Sequence, residues 1–167
     1  MLTYSNKRES ATALHLAAKN GHSDIVVYIV SKIVEDFPNL KDELINKKNK
    51  FGFTPMMSVC FRGYLTKGKA KDADTDRLII VKKLLENGAK ADYVTDDTLM
   101  TATHWAAFNK DAMVVSELLK NGAPHFAFSH MGRLPIDVGG SSRAFDVVDI
   151  CLEAYYMEAT GPSEMIS

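Results

Sequence analysis

The sequence lacks most features that mark secreted, membrane-spanning or nucleic-acid-binding proteins. Its formal net charge is −1, which argues against a general nucleic-acid binder, because such proteins need excess positive charge to neutralise phosphates. The longest apolar run, residues 25–30, is far too short for a transmembrane helix. Charged side chains at Lys7, Arg8 and Glu9 argue against a secretory signal. We therefore expect a protein of the cytoplasm or nucleus that does not insert into membranes.

Cysteine is equally scarce, with Cys60 and Cys151 alone. Each lies where the surrounding pattern predicts a buried helical residue, so we interpret both as small core side chains rather than a disulfide pair. Neither these cysteines nor the five scattered histidines have the spacing of zinc ligands. The sequence also lacks the motifs of nucleophile elbows, phosphate loops and dinucleotide-binding turns. We expect no enzyme activity, no bound metal and no cofactor.

What the sequence does contain is a pattern that occurs four times. Its clearest copy spans residues 101–121, where a Thr-Ala-Thr-His-Trp-Ala-Ala head precedes apolar pairs at 114–115 and 118–119. The polar head starts a helix, the Ala pair allows close packing, and the apolar pairs form the buried stripe of a second helix. Heads three and four are 33 residues apart, and the longer steps between the other heads indicate insertions. The second residues of the heads are Ala13, Pro55, Ala102 and Pro135.

These residues resemble the ankyrin-repeat family, which has a 33-residue period and a head of the Thr-Pro-Leu-His-x-Ala type. The first copy reads Thr-Ala-Leu-His-Leu-Ala-Ala from residue 12, and two units close with Asn-Gly-Ala. The resemblance implies an all-α solenoid of stacked helix-turn-helix units with β-hairpin-like finger turns. We divide this single domain into units at about 8–45, 46–92, 93–125 and 126–160, followed by a mobile tail at 161–167.

An insertion at about residues 64–77 lies between the two helices of the second unit. It is polar and charged and has no apolar period, so we expect an exposed loop that runs into a helix at about 74–87. Within it, Asp72, Asp74 and Asp76 alternate as at the start of an EF-hand loop, but that motif's turn glycine and final glutamate are missing. Calcium binding through these aspartates is an alternative to a simple acidic helix start.

Five positions carry local structural expectations. Thr12 and Ser23 stand where N-caps of the first two helices belong. His15 and His104 occupy the head position at which the family carries His, and the resemblance implies a ring that bridges backbone groups of adjacent turns and units. Leu99 stands where the family usually has Gly, which argues against a left-handed turn conformation there. All five are therefore expected to shape helices and turns rather than to perform chemistry.

The resemblance also implies a function, because family members bind partner proteins through a concave groove lined by the turns and the solvent-exposed side of each first helix. Many residues at those positions are aromatic, Met or Arg, types that are enriched in interface cores and seldom exposed without a partner. The positions are Lys19, Asn20, Lys48, Lys50, Phe51, Phe53, Phe61, Arg62, Asp97, Thr98, Met100, Phe108, Asn109, Phe128, His130, Met131 and Arg133. Alternatively, Phe51, Phe53 and Phe128 fold back onto the turns as core residues, and Trp105 is interpreted as a packing residue.

The sequence thus predicts a non-catalytic, monomeric module that binds another protein through a rigid, pre-formed surface, which saves ordering entropy on binding. The basic groove residues, Lys48, Lys50, Arg62 and Arg133, indicate a partner with some acidic character. Two further interpretations stay open. The chain is the targeting or regulatory domain of a larger enzyme or channel, or it is an enzyme of an unrecognised type.

Overall fold

Paired helices stack side by side along the chain. The computed structural model describes residues 5–6, 10–61 and 72–160. The helices packed as the first layer are α1 (Ala13–Asn20), α4 (Pro55–Cys60), α6 (Ala102–Phe108) and α8 (Pro135–Ser141). The second layer contains α2 (Ser23–Asp36), α5 (Asp72–Glu86), α7 (Ala112–Lys120) and α9 (Phe145–Thr160), and the short α3 (Lys41–Ile45) follows α2. The predicted all-α solenoid of helix-turn-helix units is confirmed, whereas the residues at which one unit ends and the next begins stay a prediction.

Of the two N-caps predicted for the first helix pair, one is confirmed and one is wrong. The Thr12 hydroxyl accepts from the backbone N–H of His15 at 3.5 Å, so Thr12 is the N-cap of α1. The prediction for Ser23 is wrong. Ser23 is the first residue of α2, and its hydroxyl donates to Asp76 Oδ1 at 2.6 Å, so it joins α2 to α5. A 3₁₀ turn, Pro38–Leu40, and α3 follow α2.

Each first helix is preceded by a turn, here called a finger. In the second finger the Asn49 N–H donates to the Phe53 carbonyl at 2.8 Å, as in a β-hairpin. The fourth finger repeats this bond from Ser129 to Arg133 at 2.9 Å. Before α1, the strands β1 (Ser5–Asn6) and β2 (Ala11–Thr12) pair antiparallel. The fingers therefore have the hairpin-like form that the resemblance implies.

The third finger departs from the expectation for leucine. Leu99 has φ 52°, in the same left-handed region as Gly52 at 76° and Gly132 at 67°. The prediction that leucine excludes this conformation is therefore wrong. The reason lies in the hydrogen bonds around Thr95, whose hydroxyl accepts from the Met100 N–H at 3.2 Å and whose carbonyl accepts from the Leu99 N–H at 3.1 Å. These bonds close the turn and hold Leu99 in a conformation that a side chain normally disfavours.

The predicted insertion loop is only partly within the described residues. Residues 64–71 lie outside them, as does the predicted tail at 161–167. The helix predicted at about 74–87 begins at Asp72 and ends at Glu86, so residues 72–73, expected in the loop, are helical instead. Its first turns are held against neighbouring helices, since Arg77 is buried and its Nε lies 3.5 Å from Asp111 Oδ2 at the start of α7. This packing extends the helix into sequence that has no apolar period.

The apolar pairs of the repeats form the core between the two layers. Cys60 and Cys151 are both buried and unpaired, as predicted. Adjacent units are also joined by polar contacts, because the side chain of Asn109, just after α6, donates to the Cys60 carbonyl of α4 at 2.7 Å. The fully or nearly fully buried pair residues include Val26, Ile29, Val30, Ile80, Val81, Leu84, Val114, Val115, Leu118 and Val147.

Candidate functional site

The surface formed by the fingers and by the adjoining side of α1, α4, α6 and α8 is here called the groove face, and it carries a row of aromatic rings. The Phe53 and Phe61 centroids lie 5.3 Å apart, and Trp105 lies 5.6 Å from Phe53 and 4.8 Å from Phe61. Phe108 continues the row at 6.3 Å from Trp105. Edge-to-face pairs of this kind are the preferred aromatic geometry. The row joins the second and third units, and its last member, Phe108, is 55% exposed.

A hollow of about 230 Å³ lies at one end of this row. Just above it, Lys50 Nζ lies 4.8 Å from the centroid of the Phe51 ring, close enough for a cation–π contact. An apolar side chain would be surrounded by rings there, with ammonium groups beside it. The walls come from α1, the second finger and the end of α4, and include Leu16, Lys19, Phe51, Phe53 and Phe61.

The described members of the predicted binding set are either exposed or half-buried. Phe53 packs against the core, whereas Phe51 and Phe128 are exposed. The alternative in which the three phenylalanines are core residues therefore applies to Phe53 alone. The exposed predicted residues are Lys19, Asn20, Lys48, Lys50, Phe51, Asp97, Thr98, Phe108, Phe128, His130, Met131 and Arg133. The half-buried ones are Phe53, Phe61, Met100 and Asn109, and Arg62 lies outside the described residues.

Charges on the fingers are arranged unevenly along the stack. Lys48 is engaged within the protein, because its Nζ lies 3.2 Å from Asp96 Oδ1 and donates to the Val94 carbonyl at 3.1 Å. The third finger is acidic at Asp96 and Asp97, whereas the fourth carries Arg133. An acidic partner group would therefore meet favourable charge near the second and fourth fingers rather than the third.

One set of groove-face residues was missed by the prediction. The fourth residue after each N-cap threonine points to this face. Leu16 and Ser58 line the hollow, and Trp105 is the centre of the aromatic row. The signal was present in the sequence as a fixed offset from Thr12, Thr54 and Thr101. Trp105 was interpreted as a packing residue, and it does pack against the core. Its position between two units, which also places it in the aromatic row, depends on how the units stack.

The two head histidines bridge adjacent units as predicted. His15 Nε2 lies 2.9 Å from the Phe53 carbonyl oxygen, and His104 Nε2 lies 2.9 Å from that of Arg133. A carbonyl can only accept, so Nε2 carries the proton, and Nδ1 of each ring accepts from the backbone N–H of the N-cap threonine at 3.2 Å. Burial lowers the pKa of both rings. Both histidines are neutral structural groups whose ring nitrogens are engaged in hydrogen bonds.

The acidic segment offers little that resembles a cation site. Asp76 Oδ1 accepts from the Ser23 hydroxyl at 2.6 Å, and the side chains of Asp72 and Asp74 lie outside the described residues. Across the described ranges, no three His, Cys, Asp or Glu side chains are grouped so as to hold a metal ion. In the same part of the chain, no helix has the length and hydropathy needed to cross a membrane.

Comparison with known proteins gives one family and several relatives. The family model described as ankyrin repeat matches residues 10–43. The chain is 28% identical over 109 residues, 65% of its length, to neurogenic locus notch homolog protein 1 of Xenopus tropicalis. It is 28% identical over 136 residues, 81% of its length, to BCL-6 corepressor-like protein 1 of Homo sapiens. The chain spans 4% and 6% of the lengths of these two relatives.

Proposed function

We propose that this chain, an ankyrin-repeat protein, binds a partner protein through its groove face and acts by binding rather than by catalysis. The observation that carries the proposal is the aromatic row from Phe53 through Phe61 and Trp105 to Phe108, which ends in an exposed ring. Large exposed apolar groups beside polar residues mark interaction sites, and aromatic side chains supply much contact area at low entropic cost.

The partner inserts an apolar side chain into the hollow beside Phe51 and places acidic groups near Lys50 and Arg133. The half-buried rings are already held by one another, so they lose little conformational freedom on binding. Phe128 and Met131 of the fourth finger extend the apolar contact, since Met131 is 81% exposed. The protein works as a monomer in the cytoplasm or nucleus, where its cysteines stay reduced.

The test is a pull-down from a lysate of the source cell, read by mass spectrometry. Wild type is compared with Phe51→Ala/Phe108→Ala/Arg133→Ala, a variant of three exposed side chains in three adjacent units. A matched control, Tyr28→Ala/Ile79→Ala/Lys120→Ala, removes exposed side chains of similar size and charge from α2, α5 and α7. Thermal melting first establishes that both variants fold.

A prey that is lost in the groove-face variant and kept in the control supports the proposal and identifies the partner. A prey that is kept in the groove-face variant contradicts it and moves the interface to another surface. Binding is then measured with the purified prey, because a direct interaction must survive without other lysate proteins. If the purified prey binds the wild-type chain and the groove-face variant with equal affinity, the proposal is also contradicted.

A second candidate is that the groove face serves a larger polypeptide as its targeting or regulatory module. The observation in its favour is that the two relatives are far longer than the part this chain matches. Sequencing the full-length transcript in the source cell tests this. An open reading frame that extends beyond these residues supports it, and one of the same length rules it out.

A further inference from the structure

The last helix pair exposes apolar side chains on the side that faces away from the rest of the stack. This surface, here called the end face, consists of Ile136 of α8 and Phe145, Val148, Leu152 and Tyr155 of α9. The α9 residues recur at intervals of three or four, so they lie along one side of the helix. Phe145 is 76% exposed, Tyr155 45% and Leu152 38%. A repeat stack needs polar outer faces to stay soluble, so an apolar outer face of this kind has to be covered.

Comparison of α9 with the equivalent helix of the preceding unit, α7, indicates what kind of structure packs on this surface. Val115 and Leu119 of α7 are the counterparts of Val148 and Leu152, as the apolar pairs of the two units align. In α7, which packs against α9, Val115 is 0% exposed and Leu119 is half-buried. The end face therefore has the shape of a surface that elsewhere in this molecule receives a packed α-helix.

A hollow of about 200 Å³ opens on the end face between α8 and α9. The volume suits one or two large aliphatic side chains of an incoming helix, since such side chains fill grooves at intervals of three and four residues. Among the described residues, nothing covers this hollow. Its walls are Leu134, Ile136, Cys151, Leu152 and Tyr155 with His125 and Phe126.

The charged residues of α9 indicate which kind of molecule can bind the end face. Asp146, Asp149 and Glu153 recur at intervals of three and four, so they form an acidic flank along one side of the apolar stripe of α9. α9 contains no Lys, Arg or His at all. If two copies met end face to end face, their acidic flanks would lie together and repel each other. A head-to-tail contact would bring them against α2, whose charged residues are three acids and one lysine.

We propose that the end face binds an amphipathic α-helix of a partner protein that carries Lys or Arg residues beside its apolar stripe. The apolar stripe of that helix fills the hollow and covers Val148 and Leu152, and its basic residues pair with the acidic flank of α9. This surface is separate from the groove face, so the inference stands independently of the function proposed above.

The test uses a synthetic, fluorescein-labelled peptide of about 18 residues, roughly five helical turns. The peptide has Leu at intervals of three and four residues, Lys along one flank, and Ala or Gln elsewhere. A matched peptide replaces every Lys by Glu. Fluorescence anisotropy with the full chain measures both affinities. Because three acidic side chains each contribute modestly, we expect the Lys peptide to bind about tenfold more tightly than the Glu peptide, with the difference shrinking at high salt.

Variants of the chain locate the binding surface. Leu152→Lys places a positive charge at the hollow and is expected to weaken Lys-peptide binding at least about tenfold. Phe145→Lys, at the most exposed end-face position, is also expected to weaken Lys-peptide binding. It provides a second test in case Leu152→Lys does not fold. Tyr28→Lys is the matched control, because it adds the same charge to an exposed position of α2, at the opposite end of the stack from the stripe and the acidic flank. Phe108→Ala, on the groove face, is expected to leave binding unchanged.

Four results would overturn the proposal. The first is equal affinity for the Lys and Glu peptides, and the second is unchanged Lys-peptide affinity in both Leu152→Lys and Phe145→Lys. The third is a concentration-dependent dimer in sedimentation velocity that Leu152→Lys dissociates, because the occupant is then a second copy. The fourth is binding that appears only after residues 161–167 are removed, because the chain then covers its own end face.

Discussion

Replacing His104 by alanine tests how much one side chain contributes to the cohesion of adjacent units. His104 is 0% exposed and joins the Thr101 N–H at 3.2 Å to the Arg133 carbonyl at 2.9 Å. Removing the ring breaks the hydrogen bonding of both ring nitrogens, worth about 1 kcal/mol at each nitrogen, and leaves a buried donor without a partner. The vacated volume adds a cavity cost of about 1 kcal/mol, at the low end of core truncations. We therefore expect the free energy of unfolding to fall by about 3 kcal/mol.

A second substitution, His104→Met, separates hydrogen bonding from packing. Unit two has Met57 at the equivalent position, buried at 1% exposure, so methionine fills this site in the same fold without forming the bridge. We expect His104→Met to cost about 2 kcal/mol, less than alanine, because the cavity is filled while both hydrogen bonds are lost.

The assay is urea unfolding followed by far-ultraviolet circular dichroism at about pH 8, where histidine is neutral. His130→Ala is the control, since His130 lies exposed on the fourth finger, and we expect a change within about 0.5 kcal/mol. A loss below about 1 kcal/mol for His104→Ala would refute the bridging argument. An unchanged stability in His104→Met would show that packing alone accounts for the effect.

Three further predictions concern pH, backbone strain and thiol reactivity. Because burial lowers the pKa of His15 and His104, the unfolded chain binds protons that the folded chain does not. The free energy of unfolding should therefore fall as pH drops below about 6.5, by up to about 1.4 kcal/mol per pH unit for each histidine. Urea titrations at several pH values check this, and a His15→Met/His104→Met variant with the same pH dependence would contradict it. Leu99→Gly should raise the free energy of unfolding by about 0.5 kcal/mol, because relief of left-handed strain exceeds the entropic cost of glycine, whereas Leu99→Ala retains a Cβ and should not stabilise. Burial raises the pKa of Cys151 to about 11 and that of Cys60 further, so a thiol reagent at about pH 8 should label both only as fast as the protein opens, and labelling within the mixing time would contradict this.

The sequence by itself was sufficient for the helix pairs, and its resemblance to the ankyrin-repeat family was sufficient for the bridging histidines. An apolar pair repeated at helical spacing has to be buried against another element, so the second helices followed from the pattern. The Thr12 cap depends on groups within one head, and the His15 bridge depends on a head and the next finger. The bridge recurs at His104, although the separation along the chain is 38 residues for His15 and 29 for His104. Local rules failed where a residue had a competing partner, as when the Ser23 hydroxyl bonded Asp76 of another unit instead of capping α2.

Only the tertiary structure decided which side chains lie together on the two candidate surfaces. Phe61 and Trp105 are far apart along the chain and belong to different units, yet their rings lie 4.8 Å apart. Their contact depends on the stacking angle between α4 and α6, which no sequence period encodes. The same holds for the end face, since Val148 repeats the pattern of Val115 and differs from it only in having no following helix described beside it. Sequence periodicity determines which residues need to be covered, and the stacking of the units determines which of them are.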